Sequence, residues 1–174
     1  LPWLVTGFMH LDGYMDVCDA VLSRRELATR QRILKDSHCG AFAVIGMVLL
    51  ALCQWSVFLS GSAAESLWGL LLIPVATPAC AGLAVLKLRP MGTSQYAAMG
   101  RHGGYAAALA VLLAAAIAVP LVTDRSFAPL AAAAGYGLAV WYGFRQLDGM
   151  NGDISGFALT LGELAGAAVW TLVR

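Results

Sequence analysis

Residues 39–60 (CGAFAVIGMVLLALCQWSVFLS) contain no charged side chain. Wound as an α-helix they rise about 33 Å, enough to cross the hydrocarbon core of a bilayer. Residues 104–123 (GYAAALAVLLAAAIAVPLVT) repeat the feature. A chain of 174 residues cannot hide several such runs in one soluble core, and only 12% of this chain is charged, against about 25% in soluble domains. Apolar runs at membrane depth must satisfy their own backbone hydrogen bonds, which helices do. The sequence therefore predicts an all-α, polytopic integral membrane helical bundle, with residues 1–174 as a single transmembrane domain.

About six transmembrane helices are expected: the stretch 1–9, then 39–60, 67–86, 104–123, 127–144 and the apolar run that ends at Arg174. Residues 1–9 (LPWLVTGFM) are too short to span and lack the basic start and small-residue cleavage site of a signal peptide. They read as the tail of a helix that begins before this numbering, so the chain reads as N-terminally incomplete. Pro74 and Pro78 remove ladder hydrogen bonds from 67–86 and predict a kinked or locally unwound helix. The Ala- and Gly-rich later spans suit close helix contact and leave homo-oligomerisation open. Cys18, Cys39, Cys53 and Cys80 lack paired metal-type spacing and read as apolar packing residues.

Charge then orients the chain. The connectors 23–38, 87–104 and 145–156 hold Arg24, Arg25, Arg30, Arg32, Lys35, Lys87, Arg89, Arg101 and Arg145. The alternate loops 61–66 and 124–126 hold only Arg125, and Arg174 ends the last span. Nine basic residues against two put the first set on the cytoplasmic side. The Gly- and Asp-rich stretches lie on that same side.

One of those stretches is His10-Leu11-Asp12-Gly13-Tyr14-Met15-Asp16-Val17-Cys18-Asp19-Ala20. On a helix, Asp12, Asp16 and Asp19 fall within about a 60° arc, where like charges repel by a few tenths of a kcal/mol per pair. A hard divalent cation turns that repulsion into attraction. Cations on carboxylates neutralise phosphate oxygens, Arg and Lys hold the others, and Gly-rich loops let backbone N–H groups approach anions. Two classes fit: a membrane phosphotransferase, or an ion-coupled transporter. Transporter carboxylates sit near mid-bilayer beside broken helices. Here the acids gather at one face and only Glu163 lies deep, which favours the enzyme. No nucleic-acid partner is expected.

At these residues the sequence resembles a known family. His10 to Ala20, followed by Ile33-Leu34-Lys35-Asp36-Ser37, resembles the signature of cobalamin 5′-phosphate synthases, also called adenosylcobinamide-GDP ribazoletransferases. Arg89-Pro90-Met91-Gly92-Thr93, Gly152-Asp153-Ile154-Ser155-Gly156 and Gly162-Glu163-Leu164 look like further blocks of that family, in order. Ala20 and Ser94 stand where the family usually has glycine. The resemblance implies a multi-pass enzyme of the bacterial inner (plasma) membrane, acting late in cobalamin (vitamin B12) biosynthesis. It implies transfer of GDP-activated adenosylcobinamide to α-ribazole or its 5′-phosphate, release of GMP, and Mg²⁺. CDP-alcohol phosphotransferases, which make phospholipids, share part of the pattern: Asp16-x-x-Asp19-Ala20-x-x-Ser23-Arg24 nearly fits their first half. Their second half fails, because Asp36 is one residue out of register and no Asp follows four later.

The expected roles follow. Asp16 and Asp19 are the leading metal ligands, with Asp12 next and Asp36 closing the site. Asp36 or Asp153 is the candidate base for the incoming hydroxyl, unless Asp153 merely caps the last helix. Arg24, Lys35 and Arg89 are the candidates for holding the diphosphate. His10, His38 and His102 are given no role.

Overall fold

Where the sequence lacks charge the chain is helical. The structure, a computed structural model, describes residues 2–60, 67–92, 94 and 103–172. The loop 61–66, Thr93, residues 95–102 with Arg101 and His102, and Arg174 lie outside the described residues.

Nine helices follow one another among the described residues: α1 (Pro2–Val5), α2 (Met9–Leu22), α3 (Leu27–Ile33), α4 (Ala41–Ser60), α5 (Leu67–Leu71), α6 (Ile73–Lys87), α7 (Gly103–Thr123), α8 (Ala128–Leu147) and α9 (Gly152–Leu172). Four spans are long and apolar enough to cross a membrane: α4, α5 with α6, α7 and α9. Of the about six expected, two differ. The 1–9 stretch forms only the short α1, because Gly7 (φ 58°) and Phe8 (φ 64°) turn the chain before α2 begins. Of residues 127–144, all but Phe127 lie in α8, which is 20 residues long but falls short of the others in apolar character.

Among the described residues, the apolar surface on α4 and α7 has no protein partner on most sides. Ile45, Leu52 and Trp55 on α4, and Val111 and Val122 on α7, are exposed. Helices apolar all round and uncovered by protein are matched to lipid. The protein is thus a multi-pass membrane protein.

Its core is built around α9. Small residues bring α8 and α9 together: a Cβ on Gly162 would stand 2.8 Å from the Ala132 carbonyl oxygen, and one on Gly135 would stand 2.7 Å from the Ala165 Cβ. Without a hydrophobic drive between helices in lipid, such close backbone approach is what packing relies on. Helix α2 buries Leu11, Tyr14, Val17, Cys18 and Val21, spaced three and four apart along one face. Tyr14 stacks on Phe157 of α9 with ring centroids 5.7 Å apart, and its hydroxyl donates to the Gly46 carbonyl of α4 at 3.1 Å. The break expected from the two prolines falls at Leu72, between α5 and α6. Pro74 then sits in the first turn of α6, where its missing N–H costs nothing. Of the four cysteines, Cys18 is buried and Cys80 half-buried, but Cys39 and Cys53 are exposed, so packing accounts for only the first two.

Candidate active site

The three connectors grouped by charge converge at one end of the bundle. Arg30 of α3 donates to the Gln146 side chain at 2.5 Å, and Gln31 donates to the Leu147 carbonyl at 2.8 Å, docking connector 23–38 on 145–156. Connector 87–104 joins them through a short parallel bridge between Pro90 and Met150. There the Met91 N–H donates to Met150 O at 2.8 Å and the Met150 N–H donates to Arg89 O at 2.9 Å.

Beneath this junction α2 crosses α9 at two glycines. A Cβ on Gly13 would stand 2.9 Å from both Cα and the carbonyl oxygen of Asp153, and one on Gly156 would stand 2.9 Å from the His10 carbonyl oxygen. Only hydrogen at both positions allows this approach. It sets the acidic face of α2 beside the first turn of α9.

A cavity of about 520 Å³ opens there. Its polar wall is made by His10, Asp12, Lys35, Asn151, Asp153 and Ser155, and its apolar wall by Met9, Leu34, Met91 and Leu159. Asn151 shapes the α9 end of it. Its Oδ1 accepts from the Ile154 N–H at 2.9 Å, capping α9, while its Nδ2 donates to Asp153 Oδ2 at 2.7 Å. The cap of α9 is therefore Asn151 and not Asp153, which lines the cavity instead.

Asp16, on α2 and outside the four spans, is half-buried. Burial, reinforced by the carboxylates of Asp12, Asp153 and Asp19, pushes its carboxyl up to about 7. Excess negative charge in a partly dry place is what a bound cation relieves. Among the described residues, however, no three His, Cys, Asp or Glu side chains come close enough to form a metal cage. The arrangement fits Mg²⁺, which is commonly held by one or two carboxylates and completed by water and substrate phosphate. Asp12 lines the cavity and would hold it, with the charge of nearby Asp16 adding to the attraction.

Four of the expected site residues take other positions. Asp19 accepts N–H groups of Gly40 (2.5 Å) and Ala43 (2.9 Å), one on each carboxylate oxygen. Asp36, with 54% of its side chain exposed, pairs with His38 at 2.6 Å. That hydrogen bond holds its carboxyl below the usual range, and Asp36 does not line the cavity. Arg24 projects from an exposed turn with φ 52°. Arg89 donates to the carbonyl (3.0 Å) and carboxylate (2.5 Å) of Asp148 and lies over the Phe144 ring. Of the expected quartet of Asp12, Asp16, Asp19 and Asp36, only Asp12 lines the cavity, while Asp19 is bonded to the start of α4 and Asp36 to His38. Lys35 alone of the three expected cations reaches the cavity.

Lys35→Ala is accordingly expected to raise the KM for an anionic donor about ten-fold, the scale of one charge-assisted contact. Arg89→Ala, which removes an exposed pair, should change it less than about three-fold. Steady-state kinetics on the two variants checks the contrast.

His10, Asn151 and Ser155 line the cavity although none of them was assigned a role from sequence. His10 and Asp12 stand on different faces of α2, but the cavity wraps round the first turn of that helix and touches both. Burial lowers the His10 pKa, which favours its neutral ring.

Fold and site together define a helical membrane protein with an acid- and lysine-lined cavity where its connectors meet. Comparison with known proteins is specific. Residues 1–171 match the family described as cobalamin-5-phosphate synthase. The chain is 36% identical over 173 residues to the adenosylcobinamide-GDP ribazoletransferase of Clostridium perfringens (strain 13 / Type A), covering 95% of this chain and 69% of that protein. It is 32% identical over 190 residues to the protein of the same name from Geobacillus kaustophilus (strain HTA426), covering 99% and 71%. A Clostridium botulinum (strain Alaska E43 / Type E3) protein of that name is 30% identical over 176 residues, covering 95% and 69%. No solved structure matches. The chain belongs to the cobalamin-5-phosphate synthase family.

Proposed function

We infer that this protein joins GDP-activated adenosylcobinamide to α-ribazole or its 5′-phosphate and releases GMP, a late step of cobalamin assembly. The observation that carries the reading is the shared cavity of Asp12, Asp153 and Lys35 in a chain of this family. In the reaction the ribazole hydroxyl oxygen attacks the phosphorus that carries cobinamide. The phosphoanhydride bond to GMP breaks, and the hydroxyl proton goes to a base.

The chain's own groups supply what that displacement needs. Lys35 offers a point charge to the diphosphate oxygens from the connector side. Asp153, steadied by Asn151, faces the cavity as the base for the hydroxyl, and Asp12 lies across from it on α2. Bound Mg²⁺ would neutralise charge on the phosphate oxygens. The buried apolar wall of Leu34, Met91 and Leu159 suits the aromatic base of ribazole and limits entry of water, which would hydrolyse the donor. The excess of basic residues on the connectors around the cavity supports a cytoplasmic active site in the inner membrane.

Purified protein in detergent, given GDP-cobinamide, α-ribazole and Mg²⁺, is expected to release GMP. A parallel incubation with a CDP-lipid and an alcohol is expected to release no CMP. The reverse outcome would replace this reading with the phospholipid-synthase one.

A further inference from the structure

We propose that Asp19 is a positioning residue, which clamps the first turn of α4 and thereby holds the connector that presents Lys35 to the cavity. The inference rests on the cavity being the transfer site. The opening N–H groups of any helix lack intrahelical partners. Before α4 stand Cys39 and Gly40, neither of which has a side-chain oxygen to serve them. Asp19 supplies the cap from α2, 21 residues earlier than Gly40, with one carboxylate oxygen on the Gly40 N–H and the other on the Ala43 N–H.

The local packing is built for this contact. A Cβ on Gly40 would stand 2.6 Å from both carboxylate oxygens, so only glycine admits the clamp. On the other side of Lys35, Leu34 is buried in the core. Lys35 thus sits between two anchors, a packed leucine immediately before it and the Asp19 clamp five residues after it. Release of the clamp leaves the exposed stretch from Lys35 to Cys39 held at one end. A misplacement of about 1 Å in a substrate-holding group can cost on the order of 100-fold in rate.

The same carboxylate belongs to the Asp12–Asp16–Asp19 stripe, so the competing role is cation binding, and the two roles make opposite predictions. Asparagine offers one acceptor oxygen where aspartate offers two, and it lacks the charge that a hard cation prefers. In the full chain in detergent, D19N keeps one of the two acceptors and is expected to hold kcat within about three-fold of wild type and to raise donor KM less than D19A does. D19A is expected to raise donor KM about ten-fold, the size of the Lys35→Ala effect. The D19A/K35A double variant is then expected to be no worse than K35A, since both changes remove the same contact. Two measurements do not depend on turnover. Amide hydrogen exchange over Gly40–Ala43 should quicken most in D19A and less in D19N, which keeps one acceptor. Mn²⁺ affinity, read by electron paramagnetic resonance, should be unchanged in D19N.

Loss of Mn²⁺ affinity in D19N, or D19A and K35A effects that multiply, would overturn the proposal. Should D19A fail to fold, D19N still decides between cap and ligand through kcat and Mn²⁺ affinity. If wild-type protein releases no GMP, the functional reading fails, while exchange at Gly40–Ala43 still tests the clamp.

Discussion

Asp153→Asn is expected to lower transfer by about 1,000-fold or more, with the protein still folded in the membrane. The side chain is placed by its neighbour: Asn151 caps α9 through one amide atom and donates to Asp153 through the other. Asparagine at 153 keeps an oxygen to accept that bond and nearly the same shape, so α9 keeps its start. What is lost is the negative charge, and with it both the capacity to accept a proton and half of the carboxylate pair facing the cavity. Asp12→Asn removes the other half and is expected to match it in size. Substrate binding through Lys35 and the apolar wall survives in both, so the loss should appear in kcat more than in KM. GMP release under saturating donor checks this. Activity above about a tenth of wild type in both variants would take these carboxylates out of the chemistry.

Gly13→Ala should be the most damaging change that touches no functional group. The added methyl would stand 2.9 Å from Asp153 Cα and carbonyl oxygen, atoms of a helix backbone that cannot swing aside. Helices α2 and α9 must then part, at a cost of about 1–3 kcal/mol. They carry Asp12 and Asp153 respectively, so the acid pair is pulled apart as well, and a fall in kcat on the order of 100-fold is expected. Gly137→Ala is the control, because a Cβ there meets nothing within 4 Å. It should be silent or slightly stabilising, since alanine restricts the unfolded chain. Thermal unfolding in detergent, measured beside turnover, separates the two glycines.

Much of this architecture is legible in the sequence because it rests on local pattern. Uncharged runs announce α4, α6 and α7 wherever they pack. Lys and Arg counts alone group the three connectors that the structure joins through Arg30, Gln31 and the Pro90–Met150 bridge. The α2 stripe is legible from helical spacing. What spacing does not carry is which remote backbone a polar side chain will meet. Asp19 sits on the same stripe as Asp12, yet the start of α4 draws it away from the cavity. Asp36 follows Lys35 directly, yet one reaches the cavity and the other turns to His38. The crossing at Gly13 and Gly156 was equally hidden. Each glycine alone suits any helix, and only the reciprocal contacts with Asp153 and His10 show their use.

The central claim is that the donor occupies the cavity between α2, α9 and the Lys35 connector, and protection from labelling tests it most directly. Met9 lines the cavity and is 73% exposed, so a thiol introduced by Met9→Cys is open to a water-soluble maleimide. Cys39, exposed but outside the cavity lining, is the internal reference. GDP-cobinamide with Mg²⁺ is expected to slow labelling at position 9 about ten-fold or more, the occupancy effect of donor well above its dissociation constant, and to leave Cys39 unchanged. Equal labelling at position 9 with and without saturating donor would contradict the account.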